Sequence, residues 1–192
     1  MKDFKEVVNK TRDDKQDCFL SPPTITLGDE FQAIVSSAET GIEVIFALEE
    51  LLVSREKNFK LRYILNFGQI DTAINPQIAY GMMGEGLAET RELLGKQKSR
   101  KERFQFNLKD DGLSKKLNLV FVLFQSIVDG WKSKDRGIVK QFFTHDDYKE
   151  VARRLRKDVS LIWRRKKSLR LPEYKAVKEL AFILLKESQC PK

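Results

Sequence analysis

Asp29 and Glu30 are adjacent carboxylates placed directly after a glycine, inside the run Thr24-Ile25-Thr26-Leu27-Gly28-Asp29-Glu30-Phe31. Thr24 to Leu27, following Pro22-Pro23, is a short β-branched run, and Phe31 to Val35 is a second apolar run. The pattern predicts a tight β-hairpin with the acids at its tip, because Gly28 is free to take the positive φ such a turn requires. Two acids on a rigid turn can hold a hard cation such as Mg²⁺, which prefers oxygen ligands. Gly-Asp is equally common as plain turn chemistry, so the pair by itself leaves both readings open.

A second chemistry lies in the carboxyl-terminal half. The chain has 192 residues and a formal net charge of +8, unevenly distributed. Residues 1–112 carry 16 Lys/Arg against 19 Asp/Glu, a net of −3, whereas residues 113–192 carry 20 against 9, a net of +11. Such asymmetry implies two parts with different partners, the second facing a polyanion. Within it, Asp147 to Leu155 predicts a helix entered through a cap at Asp146 or Asp147, with the small Ala152 where a second helix can cross closely. Arg156-Lys157-Asp158 reads as a three-residue turn and Val159 to Ser168 as the next helix. Val159, Ile162 and Trp163 are expected to face the core, leaving Ser160, Arg164 and Lys167 along one exposed face. This is helix-turn-helix spacing, with Arg153, Arg156, Lys157 and Arg165 flanking as phosphate contacts. A solvated basic face on an ordinary helical bundle has the same composition, and the turn lacks the Gly often found there.

The elements that must position these groups follow from periodicity. Phe4, Val7, Val8 and Thr11 predict a helix over residues 2–16. Ser36-Ser37 offers a cap for a helix over 38–55, whose apolar stripe holds Ile42, Ile45, Phe46, Leu48 and Leu52 together with Glu49. Residues 61–68 read as a strand, 87–96 as a helix after the glycine-bearing Gly81-Met82-Met83-Gly84-Glu85-Gly86, and 104–108 as a closing strand. Helix, hairpin, helix, strand, helix, strand is close to a ferredoxin-like order that lacks its first, central strand. Lys109-Asp110-Asp111-Gly112 reads as a linker, and residues 117–132, 135–143 and 173–185 complete a helical second half. The expected organisation is an α/β domain over 1–110 and an all-α, basic domain over 113–192.

Composition excludes several classes. The longest apolar stretches, Leu117–Phe124 and Leu180–Leu185, are far shorter than the roughly 20 residues of a membrane span. The charged amino terminus lacks the apolar core of a signal peptide. Cys18 and Cys190, with one histidine at His145, support neither a zinc site nor a disulfide framework. A cytoplasmic location is expected.

Three spaced segments, Thr24 to Gln32, Asp71-Thr72-Ala73-Ile74-Asn75-Pro76, and Gly81-Met82-Met83-Gly84 with Arg91-Glu92, resemble the SatD family of bacterial proteins. Trp131 shortly before Arg136 fits the helix-turn-helix that such proteins often carry, and the resemblance runs from Phe4 over nearly the whole chain. It implies an amino-terminal part similar to the nucleotide cyclase and GGDEF superfamily, on a ferredoxin-like sheet. Active members of that superfamily hold two Mg²⁺ ions between an acid ending the first strand and another on the hairpin. Asp29 matches the hairpin ligand, Glu30 the acid beside it, and Arg91 an Arg that can meet an anion.

The departures carry as much weight. The first strand and its acid are absent, Leu87-Ala88-Glu89-Thr90 lacks the Asn that orients a ribose, and Met83 stands where an Asp is usual. The missing strand is expected to lie upstream of an internal Met1; otherwise another element fills the slot or the sheet tolerates the gap. The leading expectation is a bacterial DNA-binding regulator with a degenerate cyclase-like module for sensing or dimerisation. The alternative is a divergent nucleotide-binding or nucleotide-processing enzyme using Asp29, Glu30 and Mg²⁺. A third reading is an interaction scaffold presenting Trp163 and Phe142-Phe143.

Overall fold

Short-range signals set where each element begins. The computed structural model describes residues 1–189; Cys190 lies outside them. Helix α1 spans Lys2–Asp14 and buries Phe4, Val7, Val8 and Thr11. Strands β1 (Phe19–Leu27) and β2 (Glu30–Val35) form the hairpin, with Gly28 at φ 57°. Helix α2 (Ala38–Ser54) starts at Ser37, whose hydroxyl accepts from the Thr40 amide at 3.1 Å. Strand β3 (Tyr63–Asn66), helix α3 (Glu85–Gln97) and strand β4 (Phe104–Asn107) complete the α/β part. Helices α4 (Asp111–Val128), α5 (Ser133–Thr144), α6 (Tyr148–Leu155), α7 (Val159–Ser168) and α8 (Leu171–Gln189) follow.

Two boundaries differ from expectation. Strand β1 starts five residues early and runs through Pro22-Pro23, because the ladder skips them: its register shifts between Ser21 and Thr24. Proline lacks an N–H and is tolerated where the ladder asks for none. Lys109 to Gly112 is largely the start of α4, not a linker, since the Asp110 carboxylate caps it by accepting from the Leu113 amide at 3.0 Å.

The strands form two separate ladders among the described residues. β1 pairs antiparallel with β2, and β3 pairs parallel with β4 through the crossover helix α3. Helix α2 underlies both. The apolar core continues across the expected boundary at 110–113: Phe121 and Phe124 of α4 pack on Phe104 and Phe106 of β4 and on Phe46 of α2, with ring centroids 4.4–5.5 Å apart. These are ordinary tilted and stacked aromatic distances. Trp131 is buried at the other end and donates its indole N–H to the Leu169 carbonyl at 2.9 Å, holding the turn into α8.

One polar junction sits inside this core. Arg103, 4% exposed, sends two guanidinium nitrogens to Glu49 on α2 (2.9 and 2.8 Å) and reaches Asp129 after α4 at 2.8 Å and the Leu61 carbonyl at 2.9 Å. Tyr63 donates to Glu49 at 2.9 Å, and burial followed by the Glu49 charge pushes its phenol well above the ordinary range. For Arg103, burial opposes the charge, and the two carboxylates outweigh it, holding the guanidinium above its ordinary value. Replacing Glu49 by Leu leaves a buried cation half-paired, a loss of about 3–5 kcal/mol. Urea unfolding is expected to show a lower midpoint with an unchanged slope; an unchanged midpoint would mean the junction contributes nothing.

Candidate functional site

The hairpin acids sit at one end of a cleft between the two ladders, 570 Å³ in volume. Asp29, Glu30 and Arg91 all line it, so three residues separated by up to 62 positions meet around one opening. Asp29 is exposed at the turn, and Arg91 is exposed on α3. Glu30 is bonded to Lys98 at 3.0 Å. Lys98 stands seven residues after Arg91, two helical turns along the same side of the chain, and that spacing is the signal by which the sequence announces it. Arg62 also lines the cleft, and its guanidinium donates to the carbonyls of Gln97 and Glu102 at 3.1 Å each.

This donor set does not fit a Mg²⁺ pair. The Lys98 ammonium already occupies Glu30 and would oppose a second cation there. Among the described residues no three His, Cys, Asp or Glu side chains gather where they could hold a metal. Mg²⁺ also demands near-octahedral oxygen geometry, which two neighbouring acids on a turn do not supply.

The glycine-bearing segments meet beside the hairpin for reasons of packing. The Ser21 hydroxyl donates to the Asn75 carbonyl at 2.6 Å, and the Ala79 amide donates to the Thr24 hydroxyl at 2.8 Å, so the loop after β3 covers β1. A Cβ on Gly84 would lie 2.4 Å from the Gln69 carbonyl, and one on Gly86 2.6 Å from the Gly68 backbone. The glycines therefore allow α3 to start against the chain leaving β3. At the carboxyl ends of β3 and β4, Asn66 donates to the Gly86 carbonyl and the Glu89 carboxylate at 3.1 Å each, and Asn107 donates to Glu89 at 3.2 Å.

The second candidate surface is the pair α6–α7. Asp147 caps α6 by accepting from the Lys149 amide, and Asp158 caps α7 by accepting from the Leu161 amide, both at 2.9 Å. Val151, Ala152 and Ile162 close the crossing at 0–1% exposure. Arg156 takes the left-handed conformation (φ 51°) where a glycine is often found, and the Lys157 amide returns to the Ala152 carbonyl at 3.0 Å.

The expected exposed face is present: Ser160, Arg164 and Lys167 are all exposed, as are Arg153, Arg156 and Lys157. Ser160 donates to Asp158 at 2.6 Å, and the Lys167 ammonium lies 3.9 Å from the centre of the Trp163 ring. Arg153 is paired with Glu150 at 2.7 Å. Hydrogen bonds from Arg153, then Arg154, hold the Glu150 carboxyl down to about 2 despite the opposing desolvation, so that cluster stays ionised at any neutral pH. Arg165 is half-buried and paired with Asp135 on α5. Val159 and Trp163 depart from expectation, each 44% exposed. Ile162, with Leu169 at the C-cap, carries the buried side of α7, and the exposed Trp163 ring packs under the Lys167 ammonium.

The fold and its surfaces define a mixed α/β protein with a sheet cleft and a strongly cationic helix pair. A model of the SatD family matches residues 1–184, and the chain belongs to that family. No curated protein and no solved structure gives a match.

Two glycine substitutions in α3 test the packing argument with opposite signs. Gly86→Ala meets backbone and is expected to destabilise by about 1–3 kcal/mol. Gly95, with nothing within 4 Å of an added Cβ, gains about 0.5–1 kcal/mol on replacement by Ala, from helix propensity. Thermal melts of the two variants check both; a stabilised Gly86→Ala would refute the close approach.

Proposed function

We propose that the protein is a bacterial, cytoplasmic DNA-binding regulator in which α6 and α7 act as a helix-turn-helix. The observation that carries the reading is the segment Arg153–Arg170: nine Lys and Arg against one acid in 18 residues, mounted on two capped helices that cross at Ala152. That density matches the polyanionic backbone of a duplex, which supplies the salt-dependent part of affinity. Ser160 stands in the first turn of α7 and Arg164 one turn further on, along the face by which a recognition helix meets base edges in the major groove. Lys167, Arg156 and Lys157 stand around them as phosphate contacts, and the Trp163 ring braces the Lys167 ammonium. Arg153 and Arg165 hold the frame through Glu150 and Asp135.

In this reading the amino-terminal part is a cyclase-like sheet that serves for sensing or dimerisation. The Mg²⁺-dependent nucleotide alternative draws support from Asp29, Glu30 and Arg91 sharing one cleft. It lacks a ligand set, since Glu30 is committed to Lys98.

Fluorescence anisotropy with a labelled duplex tests the proposal. Binding at 50 mM salt is expected to weaken steeply by 200 mM, with a slope of about −0.9 per phosphate neutralised. The double variant Arg164→Ala, Lys167→Ala is expected to weaken binding and, through the lost Lys167 phosphate contact, to reduce that slope by about one while leaving the melting temperature unchanged. Absence of duplex binding at 50 mM salt would overturn the reading.

A further inference from the structure

Two helices carry more apolar surface than their packing uses. Leu117–Phe124 of α4 is apolar at every position but Asn118, and Leu180–Leu185 of α8 is apolar throughout. A helix segment that is apolar all round is ordinarily covered all round. Here the core takes Leu117, Val120, Phe121 and Phe124 from α4, and Ala181 and Leu185 from α8. Leu119, Val122 and Leu123 are left outside on α4, and Leu180 and Ile183 on α8, each 40–70% exposed.

The two outer stripes lie beside each other. α4 and α8 pack lengthwise and antiparallel: Arg170 donates to the Ser126 hydroxyl at 3.3 Å and Tyr174 lies on Phe124, while Phe121 and Phe182 meet over Phe46. On α4, Asn118 and Gln125 turn to the β4 side, where they accept from the amides of Phe106 and Arg103. On α8, Lys178 and Phe182 turn to α2, reaching Glu50 and Phe46. Leu119 and Leu123 therefore stand on the side of α4 next to α8, and Leu180 on the side of α8 away from α2.

Size and charge point to the same occupant. Five side chains at this exposure present on the order of 400 Å² of apolar surface, as much as the largest patch on a typical monomer. A stable interface takes about 800 Å² from each partner, a little over half of it apolar, inside a polar rim. The rim here complements itself. α4 exposes Lys115 and Lys116, whereas the exposed charges of α8 are Glu173, Glu179 and Glu187 against Lys186. None of these six has an ion-pair partner among the described residues. Because the helices are antiparallel, the two lysines lie at the same end of the pair as the last turns of α8. A two-fold axis running along the helices sets α4 of one copy antiparallel on α8 of the other, lysines against glutamates.

We propose that the α4–α8 face is the interface of a homodimer, in which α4 of each copy lies antiparallel on α8 of the other. Leu119, Leu123, Leu180 and Ile183 form its apolar centre, and Lys115 and Lys116 of each copy meet Glu179 and Glu187 of the other. The contact is isologous, so every pairing occurs twice. It uses no residue of α6 or α7, so it stands apart from the duplex-binding reading.

Sedimentation velocity on the full chain without nucleic acid tests it. A dimer is expected at about 100 μM, since interfaces of this size bind in the micromolar range or tighter. Leu119→Lys, at a position 70% exposed in the single chain, is expected to weaken the dimer about a hundredfold while the far-ultraviolet circular dichroism stays unchanged. Lys115→Glu with Lys116→Glu, and separately Glu179→Lys with Glu187→Lys, are each expected to weaken it about tenfold. An equimolar mixture of the two charge variants is expected to regain the parent affinity, since every rim pair is then one acid and one base. A chain that stays monomeric at about 100 μM, a dimer indifferent to Leu119→Lys, or charge variants that mixing leaves apart would overturn the proposal.

Discussion

The buried guanidinium of Arg103 is the junction on which α2, β3, β4 and α4 meet. It joins α2 through Glu49, the approach to β3 through the Leu61 carbonyl, and the end of α4 through Asp129, while itself leading into β4. A planar fork with five donors can serve two carboxylates and a carbonyl at once, which a lysine ammonium on a flexible stem does less well. Breaking one arm leaves a charge stranded in an apolar core, so the arms stand or fall together. The aromatic cluster of Phe46, Phe104, Phe106, Phe121 and Phe124 closes over the same junction and excludes water from it. A second tie, from Glu50 to Tyr174 at 2.7 Å and to Lys178, fastens α8 to the same helix α2. Helix α2 therefore holds the strands on one side and α5 and α8 on the other.

That arrangement leaves the two ladders apart. With α2 underneath, α3 on the β3 side and the loop from Asp71 to Gly84 covering β1, β2 and β3 have no strand partner on their inner edges among the described residues. The hairpin acids belong to the mouth of this gap. Glu30 there neutralises Lys98, which is a structural duty that competes with metal binding. Of the two acids that suggest a cation clamp in sequence, Glu30 thus acts, in the folded chain, as one half of a charge pair at the edge of a cleft, and Asp29 is exposed at the turn.

Local chemistry was the legible part. Ser37 and Asp147 stand as caps where side-chain oxygens precede apolar spacing, Asp158, read as part of a turn, caps α7 as well, and helical periodicity located α2, α6 and α7 to within a residue or so. The mixed α/β character followed from the order of those elements. Pairings across long separations were not legible: Glu49 and Arg103 are 54 residues apart, and nothing near either announces the other. Pro22-Pro23 masked the first half of β1, because proline reads as a break unless it is known that the ladder bypasses it. Val159 was misplaced for a related reason, since periodicity assigns a residue to a face without saying whether anything covers that end of the helix. The exposed ridge Ser160–Arg164–Lys167 was legible, being a matter of spacing alone, whereas the commitment of Arg165 to Asp135 was not.

The central claim is that the cationic helix pair is the surface that meets duplex DNA. The most direct measurement is amide chemical-shift mapping on the isotopically labelled full chain, titrated with a short duplex. Shifts confined to Arg153–Arg170 and the adjoining turns, largest around Ser160 and Arg164, are the expected result. Shifts centred on the hairpin and α3, or none anywhere, would contradict it.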